Sequence, residues 1–347
     1  MEFTKEQTNI AKGVAICLMF AHHLYAFEDR LINGNSYIAL IPFFDVEYQI
    51  GRFGNICVSI FLFLSGYGMF LGYLNSRETP LIYSIKKLKS FYSTYWLYFL
   101  IFVPIGILYF QKVTLWHSNQ SRYLVNPKIF LENFLGWSAT YNVEWWFVRP
   151  FVICLLFVFP LYIFLIKKHV FWISFISLLL YLLSRKFHVD QYYSFFGFMY
   201  WQISFAIGMI CAKLKFFSSH LIQSFDRVGN IGIFVGLILC FILRLYINGT
   251  QYDFLIVPFF VYYSCKAIEI INLSGLISYL GQYSFPMWLI HSFFCYYYFQ
   301  DIIYFPKYSV LVFIFLTAIS LVSVLIIEYL YSHILRLTIP MHRNKVK

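Results

Sequence analysis

Asn9-Ile10-Ala11-Lys12-Gly13-Val14-Ala15-Ile16-Cys17-Leu18-Met19-Phe20-Ala21-His22-His23-Leu24-Tyr25 is long and apolar enough to cross a membrane, yet it carries a lysine near one end and paired histidines near the other. A crossing takes about 20 mainly apolar residues, and in lipid such a segment satisfies its own N–H and C=O groups only as a helix. Runs of this kind recur along the whole chain, at 9–27, 54–74, 90–110, 145–166, 169–184, 195–212, 229–247, 254–271, 283–300 and 309–331, the fifth being short. Of the 347 residues, 61% are apolar or aromatic and 12% are charged, against roughly 45–50% and about 25% in a soluble domain. With a mean hydropathy of +0.71, too little polar surface remains to cover a water-soluble globule. The expected fold class is an all-α integral membrane protein, a bundle of about ten transmembrane helices.

The net charge of +11 does not indicate a nucleic-acid partner, because the basic residues fall in short blocks between apolar runs, the pattern of positive-inside loops. Lys5 and Lys12; Arg77, Lys86, Lys87 and Lys89; Lys167 and Lys168; Lys213, Lys215 and Arg227; Lys266; and Arg336, Arg343, Lys345 and Lys347 fall on one side of a ten-span chain, while most acidic residues fall on the other. Both termini are therefore expected in the cytoplasm. The first run closes with no A-x-A-like cleavage site, so it is read as a retained span. No linker and no internal repeat divides the chain, which is read as one membrane domain over 1–347 with no fused soluble domain. Seven cysteines sit in or beside apolar runs with neither a disulfide framework nor zinc spacing, so no metal is expected. The longest connections, 28–53 and 111–144, fall on the outer side, where an acceptor can be gripped.

An ionisable side chain inside a span is costly and points to function. The eleven steps from Lys12 to His23 end within about 20° of whole turns, so the two share a face roughly 16 Å apart along the axis, and His22 lies about 80° off it. A cation at one membrane surface is thus aligned with a titratable imidazole well inside. The alternative is that Lys12 snorkels to headgroups and the histidines sit at the interface. Adjacent histidines point about 100° apart, however, so one of them is expected to face the bundle.

A second constellation is Tyr141-Asn142-Val143-Glu144-Trp145-Trp146-Phe147-Val148-Arg149-Pro150, which opens the fourth run. Its tryptophans suit an interfacial belt, and Glu144 stands where a carboxylate favours a helix N-terminus. Arg149 is about 140° out of register with Glu144, which leaves Glu144 to meet another helix. His291 lies deep in the ninth run, where hydrogen-bonded packing competes with a chemical role. Ser65-Gly66-Tyr67, in Phe61-Leu62-Phe63-Leu64-Ser65-Gly66-Tyr67-Gly68, allows close helix approach, with packing as its simplest role. The block Lys86-Lys87-x-Lys89 suits anionic lipid, or the phosphates of a cofactor such as coenzyme A. There is no HExxH, P-loop, strand-linked GxGxxG or GxSxG, so the metalloprotease, nucleotide-hydrolase, Rossmann and serine-hydrolase readings lack their motifs.

Taken in order, these segments resemble the acyltransferase-3 family of bacterial integral-membrane acyltransferases. Lys12 and His23 are similar to that family's basic residue, ten intervening residues, then histidine, with lysine standing where arginine is usual. Phe-Leu-Phe-Leu-Ser65-Gly66-Tyr67 resembles its FFxxSGF/Y segment, and Asn142-Val143-Glu144 with the aromatics that follow resembles its SxE-aromatic helix start. Phe205-Ala206-Ile207-Gly208-Met209 resembles its FxxGM helix, and Leu280-Gly281-Gln282-Tyr283-Ser284-Phe285 through His291 its LGxxSYxxYLxH segment. The resemblance implies transfer of an acyl group, commonly acetyl, from cytosolic acyl-coenzyme A to a sugar hydroxyl of a cell-surface polysaccharide or its lipid-linked precursor. It also implies a multi-pass protein of the bacterial cytoplasmic membrane. Acyl transfer from a thioester needs a base for the acceptor hydroxyl, or an imidazole that carries the acyl group, and both need neutral imidazole. His23 is the expected catalytic group, with Glu144 orienting it or positioning the sugar, and His22 and His291 as further candidates. Lys12, Lys86, Lys87, Lys89 and Ser65-Gly66-Tyr67 are expected to hold acetyl-coenzyme A. The expected partners are a carbohydrate or lipid-linked glycan and the bilayer, with no nucleic acid, and a homo-oligomer is compatible with the sequence. The competing reading is a transporter or flippase of a polyprenyl-linked sugar. An unrelated membrane-bound O-acyltransferase would use similar histidine chemistry with a different order of motifs.

Overall fold

A computed structural model describes residues 3–338 except 42, 44, 117 and 228. Arg343, Lys345 and Lys347, used above to orient the chain, lie outside the described residues. The helices are α1 (Lys5–Tyr25), α2 (Val46–Gly54), α3 (Cys57–Leu74), α4 (Pro80–Tyr109), α5 (Pro127–Phe134), α6 (Val148–Ile153), α7 (Phe159–Lys168) and α8 (Val170–Lys186), followed by α9 (Phe198–Lys213), α10 (His220–Asp226), α11 (Gly229–Ile247), α12 (Asp253–Ile270), α13 (Ser274–Gln282), α14 (Ser284–Ser292), α15 (Gln300–Tyr304) and α16 (Ser309–Thr338). Among the described residues there is no β-strand, only isolated bridges Ile38–Tyr308 and Thr114–Ser121.

Helical structure covers each of the ten apolar runs, and six stretches are long and apolar enough by themselves to cross a membrane: Val46–Leu74, Pro80–Tyr109, Val143–Lys168, Phe195–Lys213, Gly229–Ile247 and Ser309–Leu337. The remaining runs fall short for physical reasons. Lys12, His22 and His23 dilute α1, α8 has 17 residues, Asp253, Lys266 and Glu269 place three charges in α12, and the ninth run is continuously helical only from Ser284 to Tyr297, cut off from α13 at Tyr283. The two long connections are not open loops. The first ends in α2, and in the second the Asn126-Pro127 turn signal is a helix start, Asn126 Oδ1 accepting from the Lys128 and Ile129 N–H groups at 2.9 and 3.2 Å.

At its start, α1 is fixed by a capping box, in which Thr4 Oγ1 accepts from Gln7 N and Gln7 Oε1 accepts from Thr4 N, both at 3.1 Å. The helix runs through the middle of the bundle, against α2, α3, α12, α13, α14 and α16. Two glycine crossings set the spacing of the bundle. A methyl group at Gly13 would meet the Ile277 carbonyl and one at Gly281 the Asn9 carbonyl, so α1 and α13 touch backbone to backbone. Likewise Gly66 faces the Phe205 carbonyl and Gly208 the Phe63 carbonyl, which locks α3 to α9. Gly66 is therefore a packing residue at this crossing and does not line the cavity described below.

Two π-helical turns interrupt the helical register, at Cys154–Val158 and, directly after α14, at Phe293–Tyr297. Such turns gather at functional sites because one added residue re-aims the side chains that follow. The second one carries Tyr296 to His23 of α1, and Tyr297 to the Val143 N–H.

Candidate active site

A cavity of about 610 Å³ follows α1 from Lys12, Gly281 and Gln282, past His22, His23 and Glu144, to Arg52, Tyr193 and Asn248. The shared face of Lys12 and His23 is thus one wall of one space. His22 lines it as well. Its Nδ1–H donates to the Gly51 carbonyl at 2.8 Å, and its ring centroid lies 5.1 Å from that of His23. One inward histidine was expected, and two are found, because α1 is surrounded and most directions from it lead to protein.

His23 is 6% exposed, and its Nε2 lies 3.3 Å from Glu144 Oε2. The other ring nitrogen faces Tyr296, whose hydroxyl is 3.3 Å from Nδ1 and donates to the His23 carbonyl at 2.5 Å. A hydroxyl that spends its proton on that carbonyl can only accept from the ring, which puts the proton of a neutral His23 on Nδ1 and the lone pair on Nε2, beside Glu144.

Glu144 comes from a 3-10 turn, Val143–Phe147, that precedes α6. Asn142 caps this turn. Its Oδ1 accepts from Glu144 N at 3.0 Å and from Ser292 Oγ at 3.0 Å, while Trp145 Nε1 donates to the Leu289 carbonyl at 3.0 Å. Those bonds rivet the turn to α14 and aim the carboxylate across at α1. Arg149 does not pair with Glu144. It donates instead to the carbonyls of Trp137 at 3.2 Å, Tyr193 at 2.6 Å and Ser194 at 3.1 Å.

The second oxygen of Glu144 accepts from Arg30 Nη1 at 3.3 Å. The guanidinium of Arg30 is held between the rings of Phe27 and Trp116, 3.6 and 4.0 Å from their centroids. Burial opposes the charge of Arg30, but Tyr296 and Glu144 outweigh it and move its pKa upward from the usual value. Arg122 completes the stack from behind, 5.3 Å from the Trp116 centroid and 4.5 Å from that of Tyr297, with Nη1 donating to the Thr140 carbonyl at 2.9 Å.

The other candidate residues separate. His291 is fully buried, its Nδ1–H donating to the Trp288 carbonyl at 2.7 Å and its ring centroid 4.9 Å from that of His23. It stands behind His23 and does not line the cavity, because the π-helical turn after it presents Tyr296 to the His23 ring. Ser65 lines the cavity, whereas Tyr67 packs edge-on to Phe3 and Phe217 at 5.7 Å. Lys12 lines it with no carboxylate partner among the described residues. Lys86, Lys87 and Lys89 are exposed on α4 outside the cavity wall, Lys86 paired with Glu78 and Lys87 Nζ 5.3 Å from the Tyr83 ring centroid. Lys87 stands one turn before Phe91, which lines the cavity. Among the described residues no group of three or more His, Cys, Asp or Glu has the geometry to hold a metal ion.

Arg30, Tyr296, Asn142 and Trp116 were not singled out from sequence. Asn142 carried a readable signal, an N-cap residue just before an apolar turn. Arg30 lay in a loop of mixed charge, and Tyr296 depends on a π turn that no 3.6-residue period reveals.

The model of the acyltransferase-3 family, described as an acyltransferase domain, matches residues 6–333. Comparison with curated proteins and with solved structures finds no match.

Proposed function

The chain belongs to the acyltransferase-3 family, as a multi-pass membrane acyltransferase, and from that premise we propose that it moves an acyl group, acetyl in the simplest case, from acyl-coenzyme A to a sugar hydroxyl of a cell-surface glycan or its lipid-linked precursor. One observation carries this reading. The buried His23–Glu144 pair opens into a single cavity whose one end is an unpaired cation, Lys12, and whose other end is polar. The donor enters from the Lys12 end, the cytoplasmic side of a bacterial inner membrane, with Lys12 on a phosphate and Lys87 near the part that projects from the cavity. The acceptor enters from the other end.

In the reaction the acceptor hydroxyl attacks the thioester carbonyl, and its proton passes to His23 Nε2, the nitrogen that carries the lone pair. The Glu144 carboxylate, beside the same nitrogen, stabilises the imidazolium as it forms, and Tyr296 accepts from Nδ1–H and keeps the ring oriented. Collapse of the tetrahedral adduct breaks the carbon–sulfur bond, and the coenzyme A sulfur takes the proton back from Nε2.

The test is protein in nanodiscs with acetyl-coenzyme A labelled on the acetyl group, following coenzyme A release, label on an added glycan and label on the protein. Coenzyme A release with label on the glycan is the expected result. Absence of both with folded protein, across a panel of longer acyl donors, transfers support to the flippase reading.

Two further outcomes follow from the geometry. Lys12→Ala raises the KM for acyl-coenzyme A roughly tenfold and leaves kcat within about twofold, since one charge-assisted contact to a part of the donor remote from the chemistry is lost. Steady-state kinetics on the donor check it. Arg30→Ala lowers kcat about a hundredfold, because the buried Glu144 carboxylate loses the guanidinium 3.3 Å from its Oε1 and is freed to turn from His23. Arg30→Lys restores a minor part, as lysine keeps the charge but not the planar stack between Phe27 and Trp116. Equal kcat in wild type and Arg30→Ala would remove Arg30 as a positioning residue.

A further inference from the structure

A second cavity of about 530 Å³ adjoins the first at the end away from Lys12, and the two share Asn55, Tyr192 and Gly249 as common wall. Its lining differs in kind. The catalytic cavity is walled largely by aromatic and aliphatic groups, whereas the second one is walled by Ser184, Arg185, His188, Gln191, Thr250 and Gln251, with Asp190 and Tyr200 completing it. Its size lies within the roughly 300–1,000 Å³ of small-molecule sites.

From this juxtaposition we propose that the second cavity is a saccharide subsite, which holds the sugar next to the one whose hydroxyl faces His23, so that the acceptor is at least a disaccharide unit. The inference rests on the acyltransferase reading with a carbohydrate acceptor, and it names where the rest of that acceptor lies.

Three observations carry it. The wall offers donors and acceptors together, amides and hydroxyls with one guanidinium and one carboxylate that balance each other, which suits a neutral ligand dense in hydroxyl groups better than an anion. Tyr192 and Tyr200 add aromatic wall to it, the kind of surface on which the C–H side of a sugar packs. The wall is also built in advance. Asp190 Oδ1 accepts from the N–H groups of Tyr192 and Tyr193 at 2.8 and 3.0 Å, and Arg149 donates to the carbonyls of Tyr193 and Ser194. Trp201 Nε1 donates to the Gln191 carbonyl at 2.9 Å, Tyr181 donates to the Gln251 carbonyl at 2.6 Å, and the Tyr200 and Thr250 hydroxyls are 2.6 Å apart. Two loops from different parts of the chain, 187–194 and 248–252, are thus pinned by side chains of α6, α8 and α9, so little ordering remains to be done when a ligand arrives.

The experiment measures kcat/KM for acetyl transfer in nanodiscs to glucose and cellobiose, N-acetylglucosamine and chitobiose, and mannose and mannobiose. For the pair that is acylated, the disaccharide exceeds its monosaccharide about tenfold in wild type. In the Arg185→Ala/Thr250→Val double variant that ratio falls to about one, and Thr250→Ser, which keeps the hydroxyl, retains it. A wild-type ratio near one, or a ratio that the double variant leaves unchanged while it stays folded by size exclusion, overturns the subsite alone. Consumption of acetyl-coenzyme A with no label on any sugar overturns the carbohydrate reading and the subsite with it.

Discussion

His23→Ala lowers coenzyme A release and acetyl transfer by about a thousandfold, within the 10²–10⁴ range for loss of a positioned general base, while the protein still inserts and elutes as the wild type does. The size of the effect follows from what surrounds the ring. Nε2 is the single nitrogen with a lone pair that faces both Glu144 and the cavity, and nothing nearby replaces it. His22 has its Nδ1–H committed to the Gly51 carbonyl, and its ring stands edge-on to that of His23, 5.1 Å away. His291 lies behind the ring, outside the cavity. The fold survives for a separate reason. The place of α1 is fixed by backbone contacts at Gly13 and Gly281 and by Tyr296, Tyr304 and Tyr25, which donate to the carbonyls of His23, Leu24 and Ser309 at 2.5, 3.0 and 2.7 Å. None of these contacts uses the imidazole. Turnover that persists in His23→Ala removes the residue from the mechanism and moves the base to His22, which the double variant His22→Ala/His23→Ala then tests.

The parts of this site that could be read from the sequence are those in which spacing along one regular helix decides geometry. Lys12 and His23 share a face by arithmetic, and they line one cavity. Glu144 was freed from Arg149 by the same arithmetic, and the structure ties Arg149 to three carbonyls instead. Periodicity fails where the helix is irregular or where the partner lies in a loop. Tyr296 rides on a π-helical turn, so counting from His291 at 3.6 residues per turn aims it elsewhere. Arg30 sits in a 3-10 turn whose aromatic sandwich unites residues 27, 30 and 116, a juxtaposition no local pattern contains. Ser65-Gly66-Tyr67 shows a third limit. A contiguous motif reads as one element, but neighbouring residues on a helix point about 100° apart, and here they divide into a cavity wall, a crossing with α9 and an aromatic cluster.

Gly281→Ala costs roughly 1–3 kcal/mol of stability, the penalty of forcing one extra carbon into a packed contact, and it also weakens use of the donor. The added methyl group meets the Asn9 carbonyl, a backbone atom that cannot rotate away, so α13 must back off from α1 or α1 must shift. α1 is the more tightly held of the two, through the tyrosine bonds to its last turn, and α13 yields. Gly281 and Gln282 line the same end of the cavity as Lys12, so the displacement widens the donor end while His23 and Glu144 stay in place. The KM for acyl-coenzyme A therefore rises, with a smaller change in kcat. A control on the same helix isolates the crossing from helix propensity. Gly275 has no atom within 4 Å of where its Cβ would lie, and Gly275→Ala, free of any clash, gains up to about 1 kcal/mol from the better helix former. Thermal unfolding in detergent is thus expected to move in opposite directions for two identical substitutions six residues apart. A shift of the same sign in both would mean that the α1–α13 contact does not set the position of Lys12, and that the alignment of cation and imidazole rests on some other part of the bundle.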